Sequence, residues 1–267
     1  MEVNIYKLDG SVDSKLELPK VFSTPYRPRI IRRAVLAAES SKIQPKGPNH
    51  RSGRKTTAEY IGRRSSPNAL INKGIARKPR TKNRKRLLEG TVRGIPGVVG
   101  GPKAHPPKPY AKAKEEINKK EKLLALKSAI AALTNKAMVE KRGHKLGKDL
   151  TLPIVCVDDF EKLSKTKDVF LFLEKIGLNA DIERAKGRKK IRAGKGKNRG
   201  RKYKRAKSVL FVVSKENLAV NKAARNLEGV NIVSVKNLSA RDLAPAGVAG
   251  RLTVFSKDAI NVLNKRF

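Results

Sequence analysis

"SVLFVVSKENLAVNKAARNLEGVNIVSV", residues 208–235, decides the fold. "SVLFVV" (208–213) is a continuous apolar run of strand length, as expected of a strand covered on both faces of a parallel sheet. "NLAVNKAARNL" (217–227) follows as a helix, and "NIVSV" (231–235) as a second strand. Strand, helix and strand joined by a few residues each make a βαβ unit, which requires parallel pairing. The alternation continues outward. Upstream, "LPIVCV" (152–157) is another apolar strand. "KDVFLFLEKIG" (167–177) sets Val169, Phe172, Leu173 and Ile176 on one helical face, with Gly177 placed to cap it. Downstream come a short helix near 239–243, the strand "RLTVFS" (251–256) and the helix "SKDAINVLNKRF". Ser256 can cap that helix, with Ile260, Leu263 and Phe267 facing inward.

The N-terminal part adds a half-buried strand, "VNIYKL" (3–8), a short second segment ending near Pro19, and a helix over 28–39 that starts on Pro28. Helical periodicity resumes in "EEINKKEKLLALKSAIAALTNKAM" (115–138), where Leu123, Leu126, Ile130, Leu133 and Ala137 recur and Glu115 and Glu116 suit the N-terminal end. The expectation is one globular α/β domain with a mostly parallel, helix-flanked sheet, built from residues 1–41 and 115–267, and a long extended basic loop over 42–114.

Charge is the second strong signal. The chain has 267 residues with 63 Lys+Arg against 23 Asp+Glu, for a net charge of +40. It contains no apolar run long enough to cross a bilayer and no Trp, which disfavours a membrane partner. "MEVNIYKLDG" lacks the basic-then-apolar order of a signal peptide, and the one cysteine, Cys156, allows no internal disulfide, so a cytoplasmic setting is expected. The excess is concentrated. Residues 42–114 hold 20 Lys/Arg and two acids, Glu59 and Glu89. Residues 184–207 hold 14 Lys/Arg and no acid, whereas the other 170 residues carry only +8. A normal fold with two basic insertions implies a polyanionic partner, and nucleic acid fits best.

The first insertion is rich in Gly and Pro, and no apolar period lasts two turns. Each of its arms, out and back, could span up to ~120 Å at ~3.3 Å per residue. That exceeds the radius of gyration of ~15 Å expected for a 170-residue domain, so the loop is long enough to enter something else. Such chain orders on binding rather than alone.

Other chemistries fit less well. "AGKGKNRG" (193–200) breaks both the phosphate-loop spacing and the dinucleotide fingerprint, and it precedes a strand rather than following one. Its glycines suit close backbone approach to a phosphate chain without a fixed turn. His50, His105 and His144 have no Cys or His partner at zinc spacing. His144 in "KRGHKL" reads as a polar turn residue and Cys156 as core. Asp158 and Asp159 end a strand, where α/β folds often place ligands, and could hold Mg²⁺ in an RNA-processing enzyme; the blander reading has one of them capping the turn into "FEKL". Sparse aromatics argue against a stacking platform for single strands. Lys and Arg remain to carry the binding. The candidate RNA contacts in the loop are His50, Arg51, Arg54, Lys55, Arg63, Arg64, Arg77, Lys78, Arg80, Lys82, Arg84, Lys85, Arg86, Arg93, Lys103 and His105. In the second insertion they are Arg188, Lys189, Lys190, Arg192, Lys195, Lys197, Arg199, Arg201 and Lys202. No cofactor is expected.

Four stretches carry a family resemblance: "GGPKAHPPK" (100–108), "NKKEKLLALKSAIAAL" (118–133), "IRAGKGKNRGR" (191–201) and "NLSARDLAPAGVAGRLTVFSKDAI" (237–260). In this order the chain resembles the L four family of large-subunit ribosomal proteins in its archaeal/eukaryotic form. "YIGRRSSPNALINKG" (60–74) follows the family only loosely, so the resemblance there extends to the loop and not to single residues. It implies a non-catalytic protein that binds large-subunit ribosomal RNA and neighbouring ribosomal proteins. It also implies a loop that passes through RNA to the wall of the nascent-peptide exit tunnel.

Overall fold

The computed structural model describes residues 1–67, 69–82, 89–147 and 150–267. The chain divides into two units, residues 1–41 with 114–267 and residues 42–113. In the first, β1 (Glu2–Tyr6) and β2 (Val12–Glu17) precede α1 (Pro28–Ser40); α2 (Lys119–Ala131) and α3 (Lys136–Lys141) follow the excursion. Then come β3 (Ile154–Cys156), α4 (Thr166–Lys175), α5 (Asn179–Gly187), β4 (Lys190–Ile191), β5 (Tyr203–Lys204) and β6 (Leu210–Val213). The unit ends with α6 (Ala219–Ala224), β7 (Asn231–Ser234), α7 (Ala240–Leu243), β8 (Thr253–Ser256) and α8 (Lys257–Arg266).

Six strands form one sheet in the order β2-β1-β3-β8-β6-β7, and only the β1–β2 pair is antiparallel. Register explains its two cores. Ile5, Val155, Phe255, Val212 and Val233 are partners across the sheet and point to the face covered by α1, α2, α7 and α8. One residue along, Ile154, Val254, Phe211 and Ile232 point to the face covered by α4, α5 and α6. Alternation of side chains along a strand turns an uninterrupted apolar run into two buried faces. On the second face Phe160 packs against Phe172 and Phe211, with ring centroids 5.0 and 4.7 Å apart.

Local signals set the boundaries. Gly177, at φ +83°, ends α4: its N–H donates to Glu174 O, and that of Leu178 donates to Leu173 O. Ser256 Oγ accepts from Ala259 N at the start of α8. Several expectations shift. The helix expected from Glu115 begins only at Lys119, because Glu115 N is held by Ser40 Oγ at 2.9 Å; Leu123 is exposed, and Ala125, Leu126, Ala129 and Ile130 form the buried face. Asn135 caps a separate α3 through its side chain. α5 was not anticipated, and it runs to Gly187, so Arg184 and Lys186 are helical rather than part of an irregular insertion. α6 is shorter than expected at both ends, and Asn217, ahead of its start, takes φ +60°.

The 42–113 unit has no helix or extended strand among its described residues. It is built from turns and from two antiparallel bridges that set Arg80 between Glu59 and Val92. Its two arms meet at Gly53, φ +75°, where a Cβ would lie 2.3 Å from Gly101 C and Pro102 N, so only glycine fits.

Candidate nucleic-acid interface

β4 and β5 pair as a short antiparallel hairpin, with Lys190 opposite Lys204 and Ile191 opposite Tyr203. Its tip is fixed. Gly194 (φ +79°) and Gly200 (φ +76°) bracket a 3-10 turn over Lys195–Arg199, and Gly200 N donates to Gly196 O. The glycines thus build a defined turn, contrary to the expectation of a turnless approach to phosphate. Arg192 N donates to Lys202 O at 2.8 Å, and Arg192 Nε donates to Arg201 O at 3.2 Å.

Two devices hold the hairpin to the domain. Glu228 pairs with Lys189 at 2.8 Å and with Arg205 at 3.7 Å, and these cations hold its carboxyl below the usual carboxylate range. The second device is buried. The Asp181 carboxylate receives His144 Nδ1 at 3.1 Å, Arg184 Nε at 2.8 Å, Ser208 Oγ at 2.7 Å and Lys145 N at 3.1 Å. Arg184 Nη2 then donates to Lys207 O at 2.8 Å, where the hairpin rejoins β6. Burial alone would raise the Asp181 carboxyl; the hydrogen bonds from His144, Arg184 and Ser208 outweigh it and hold the group well below its ordinary value. His144, expected as a polar turn residue, is therefore a buried partner of Asp181. Arg251, 2% exposed, is a second interior cation: it donates to Ser208 O, Asp242 O, Gly229 O and Asn231 Oδ1, and burial pulls it down to about 10, still charged at neutral pH.

These contacts leave most of the hairpin charge uncompensated. Arg188, Lys190, Arg192, Lys195, Lys197, Arg199, Arg201 and Lys202 are exposed and pair with no described acid; of the candidates there, only Lys189 does. In the 42–113 unit His50, Arg51, Arg54, Lys55, Arg63, Arg64, Arg77, Lys78, Lys103 and His105 are exposed. Arg93 is half-buried. Arg80 and Lys82 are already engaged, Arg80 with Gly90 O and Ala76 O, Lys82 with Glu59 at 3.1 Å. Arg84, Lys85 and Arg86 lie outside the described residues.

The metal-site alternative fails on geometry. Asp158 Oδ1 accepts from Asp258 N at the start of α8, and Asp159 pairs with Lys162 at 2.8 Å. No group of three His, Cys, Asp or Glu among the described residues is placed to hold a metal. The crevice at the C-terminal ends of the parallel strands, a common ligand position, is bridged by buried Glu161, which accepts from Ser214 N, Ser214 Oγ and Ser256 Oγ. Cys156 is buried, donates to Phe255 O, and has its thiol pushed up by burial, as expected of core. No described helix is long and apolar enough to cross a membrane.

The comparisons with known proteins agree with this picture. The model of the ribosomal protein L4/L1 family matches residues 16–266. The chain is 45% identical to "Large ribosomal subunit protein uL4" of Haloquadratum walsbyi over 266 residues, covering 100% of both chains. It is 44% identical to the protein of that name from Methanocaldococcus jannaschii and 46% identical to that from Methanococcus maripaludis strain C6, again over 100% of each. A match of this length and identity leaves one assignment: the chain belongs to the ribosomal protein L4/L1 family, and is an RNA-binding ribosomal protein of translation rather than an enzyme.

Proposed function

We propose that this protein is a structural, cytoplasmic component of the large ribosomal subunit whose two basic regions divide the work. The hairpin anchors the α/β unit on large-subunit ribosomal RNA at the unit's own surface. The 42–113 segment passes through RNA, contacts neighbouring proteins on its way, and forms part of the wall of the nascent-peptide exit tunnel. The observation that carries the anchoring role is the hairpin's excess of exposed cations, unpaired with any described acid, on a base held by Asp181 and Glu228. Such a site is preorganised and loses little entropy on binding. The length of the excursion and the family membership support the second role.

The test builds two variants into large subunits. One neutralises Arg188, Lys189, Lys190, Arg192, Lys195 and Lys197; the other deletes 60–85. The first is expected to impair incorporation. The second is expected to incorporate and then alter passage of nascent chains or the action of tunnel-binding drugs. If the deletion blocks incorporation more than the neutralisation does, the proposed division is wrong.

A further inference from the structure

The hairpin that displays these cations also displays two apolar side chains. Ile191 is 60% exposed and Tyr203 46% exposed, and they are cross-strand partners. The bond from Arg192 N to Lys202 O makes theirs the non-hydrogen-bonded position, where opposite side chains approach most closely. Ammonium groups of Lys189 and Lys202 stand over the Tyr203 ring, 5.3 and 5.6 Å from its centroid, so the ring already receives cations on its face. Lys189 is itself held by Glu228 at 2.8 Å. A scattered exposed apolar residue needs no explanation. Here, however, the two apolar side chains are paired, and cations surround them.

We propose that Tyr203, the cross-strand partner of Ile191, is a nucleobase-stacking site at which the face of an unpaired base replaces the Lys202 ammonium group over the ring, while Lys202 turns to phosphate beside it and Lys189 stays on Glu228. The inference rests on the reading of the hairpin as an RNA anchor and adds the chemical identity of what it holds. Charge selects RNA over a protein. A protein partner would have to bring an apolar surface together with enough carboxylates to neutralise Arg188, Lys190, Lys202 and Lys204. A nucleotide carries the flat apolar face and the anion in one unit. Paired bases in an A-form helix keep their faces inside the stack, so the ligand is a loop, bulge or end. The scarcity of aromatics argues against a stacking platform for single strands; one base held at one ring is a narrower site that the sequence did not disclose. Tyrosine suits the task because it presents a large rigid face with two side-chain torsions to fix.

The experiment measures binding of the full chain to a large-subunit RNA transcript and to a fully paired RNA duplex across a range of salt concentrations. Tyr203→Ala is expected to weaken transcript binding about five- to 150-fold, the loss typical of one stacked base. It should leave the slope of log affinity against log salt unchanged, because no phosphate contact is lost. Tyr203→Phe should bind as the parent does, and duplex binding should not respond to either change. Lys190→Ala and Lys204→Ala should each flatten the slope by roughly 0.7–0.9. Irradiation of the parent complex should yield a nucleotide adduct on Tyr203. If Tyr203→Ala binds the transcript as the parent does while the lysine variants flatten the slope, stacking is overturned and the RNA anchor stands, with the apolar pair left to a protein neighbour. Equal weakening on transcript and duplex also overturns stacking. If neither kind of variant changes affinity or slope, the hairpin is not on RNA and both readings fall.

Discussion

The hairpin and the 42–113 segment are alike in composition and unlike in construction. The hairpin is short, its tip is set by two positive-φ glycines, and buried or half-buried acids clamp its base. The 42–113 segment has more cations, but its internal order comes from turns, the bridges at Arg80 and the backbone contact at Gly53. Acids decide the difference. Asp181 and Glu228 lie outside the hairpin strands and hold its base, engaging Lys189 and Arg205 and leaving most of its other cations free for a partner. In the long segment the one described ion pair, Glu59–Lys82, occupies a candidate contact instead of supporting one. The count of basic residues therefore does not rank the two regions. Preorganisation does, since each residue ordered on binding costs roughly 1–2 kcal/mol of backbone entropy.

The hardest blow to this contrast would be a dispensable Asp181. Asp181→Ala leaves His144 and Arg184 facing a buried void, and removing one partner of such a set costs about 3–5 kcal/mol. Urea unfolding at neutral pH measures it, and a variant as stable as the parent would show that the base is not a clamp. The pH dependence has a definite sign. Because the folded carboxyl is depressed, its stabilisation is complete above the ordinary carboxylate value of about 4 and is lost as pH falls through the folded value. Asp181→Asn should abolish that acid-side loss.

Next in size is the hairpin's salt response. Neutralising Arg188, Lys189, Lys190, Arg192, Lys195 and Lys197 should reduce the log–log salt slope of RNA binding by about 4–5. An unchanged slope would place these cations away from phosphate. Deleting 60–85 should weaken RNA affinity of the isolated protein less than the hairpin neutralisation does, although it removes more cations, because the lost contacts were offset by ordering cost. A titration at one salt concentration ranks the two. The smallest effect belongs to Glu59→Ala, which frees Lys82 and should change stability by less than about 0.5 kcal/mol, as for exposed ion pairs generally. Thermal unfolding checks it, and a large loss would mean that the long segment is clamped like the hairpin.

The parallel sheet was legible because "SVLFVV" and "LPIVCV" are uninterrupted apolar runs, and a strand buried on both faces leaves that mark in a single sequence. The Ser256 and Gly177 caps were legible because capping is local. α5 was not, because its buried face consists of Asp181, Ile182 and Ala185, and a buried carboxylate looks like a surface one until its partners are known. His144 escaped for the same reason: its partner lies 37 residues away in sequence. Basic contacts could be nominated from composition, but Tyr203 and Ile191 became a pair only through strand register, and Glu228 became a clamp only through folding. Arg80 shows the converse: a cation nominated for RNA also donates to Gly90 O and Ala76 O, contacts that composition does not reveal.

Ser40 Oγ holds Glu115 N at 2.9 Å, so the chain leaves the α/β unit and re-enters it at one point. The excursion is therefore a closed ring of polypeptide with no free end. A thread with a loose end can be drawn through a hole already made; a ring fixed at its neck can enter only a hole wide enough for a doubled chain. An RNA that finishes around this segment in an opening narrower than its widest part must close after the protein has arrived. The Ser40–Glu115 bond thus bears on the order of events: it favours early arrival, with the RNA tightened around the segment like mortar around a bolt already in place.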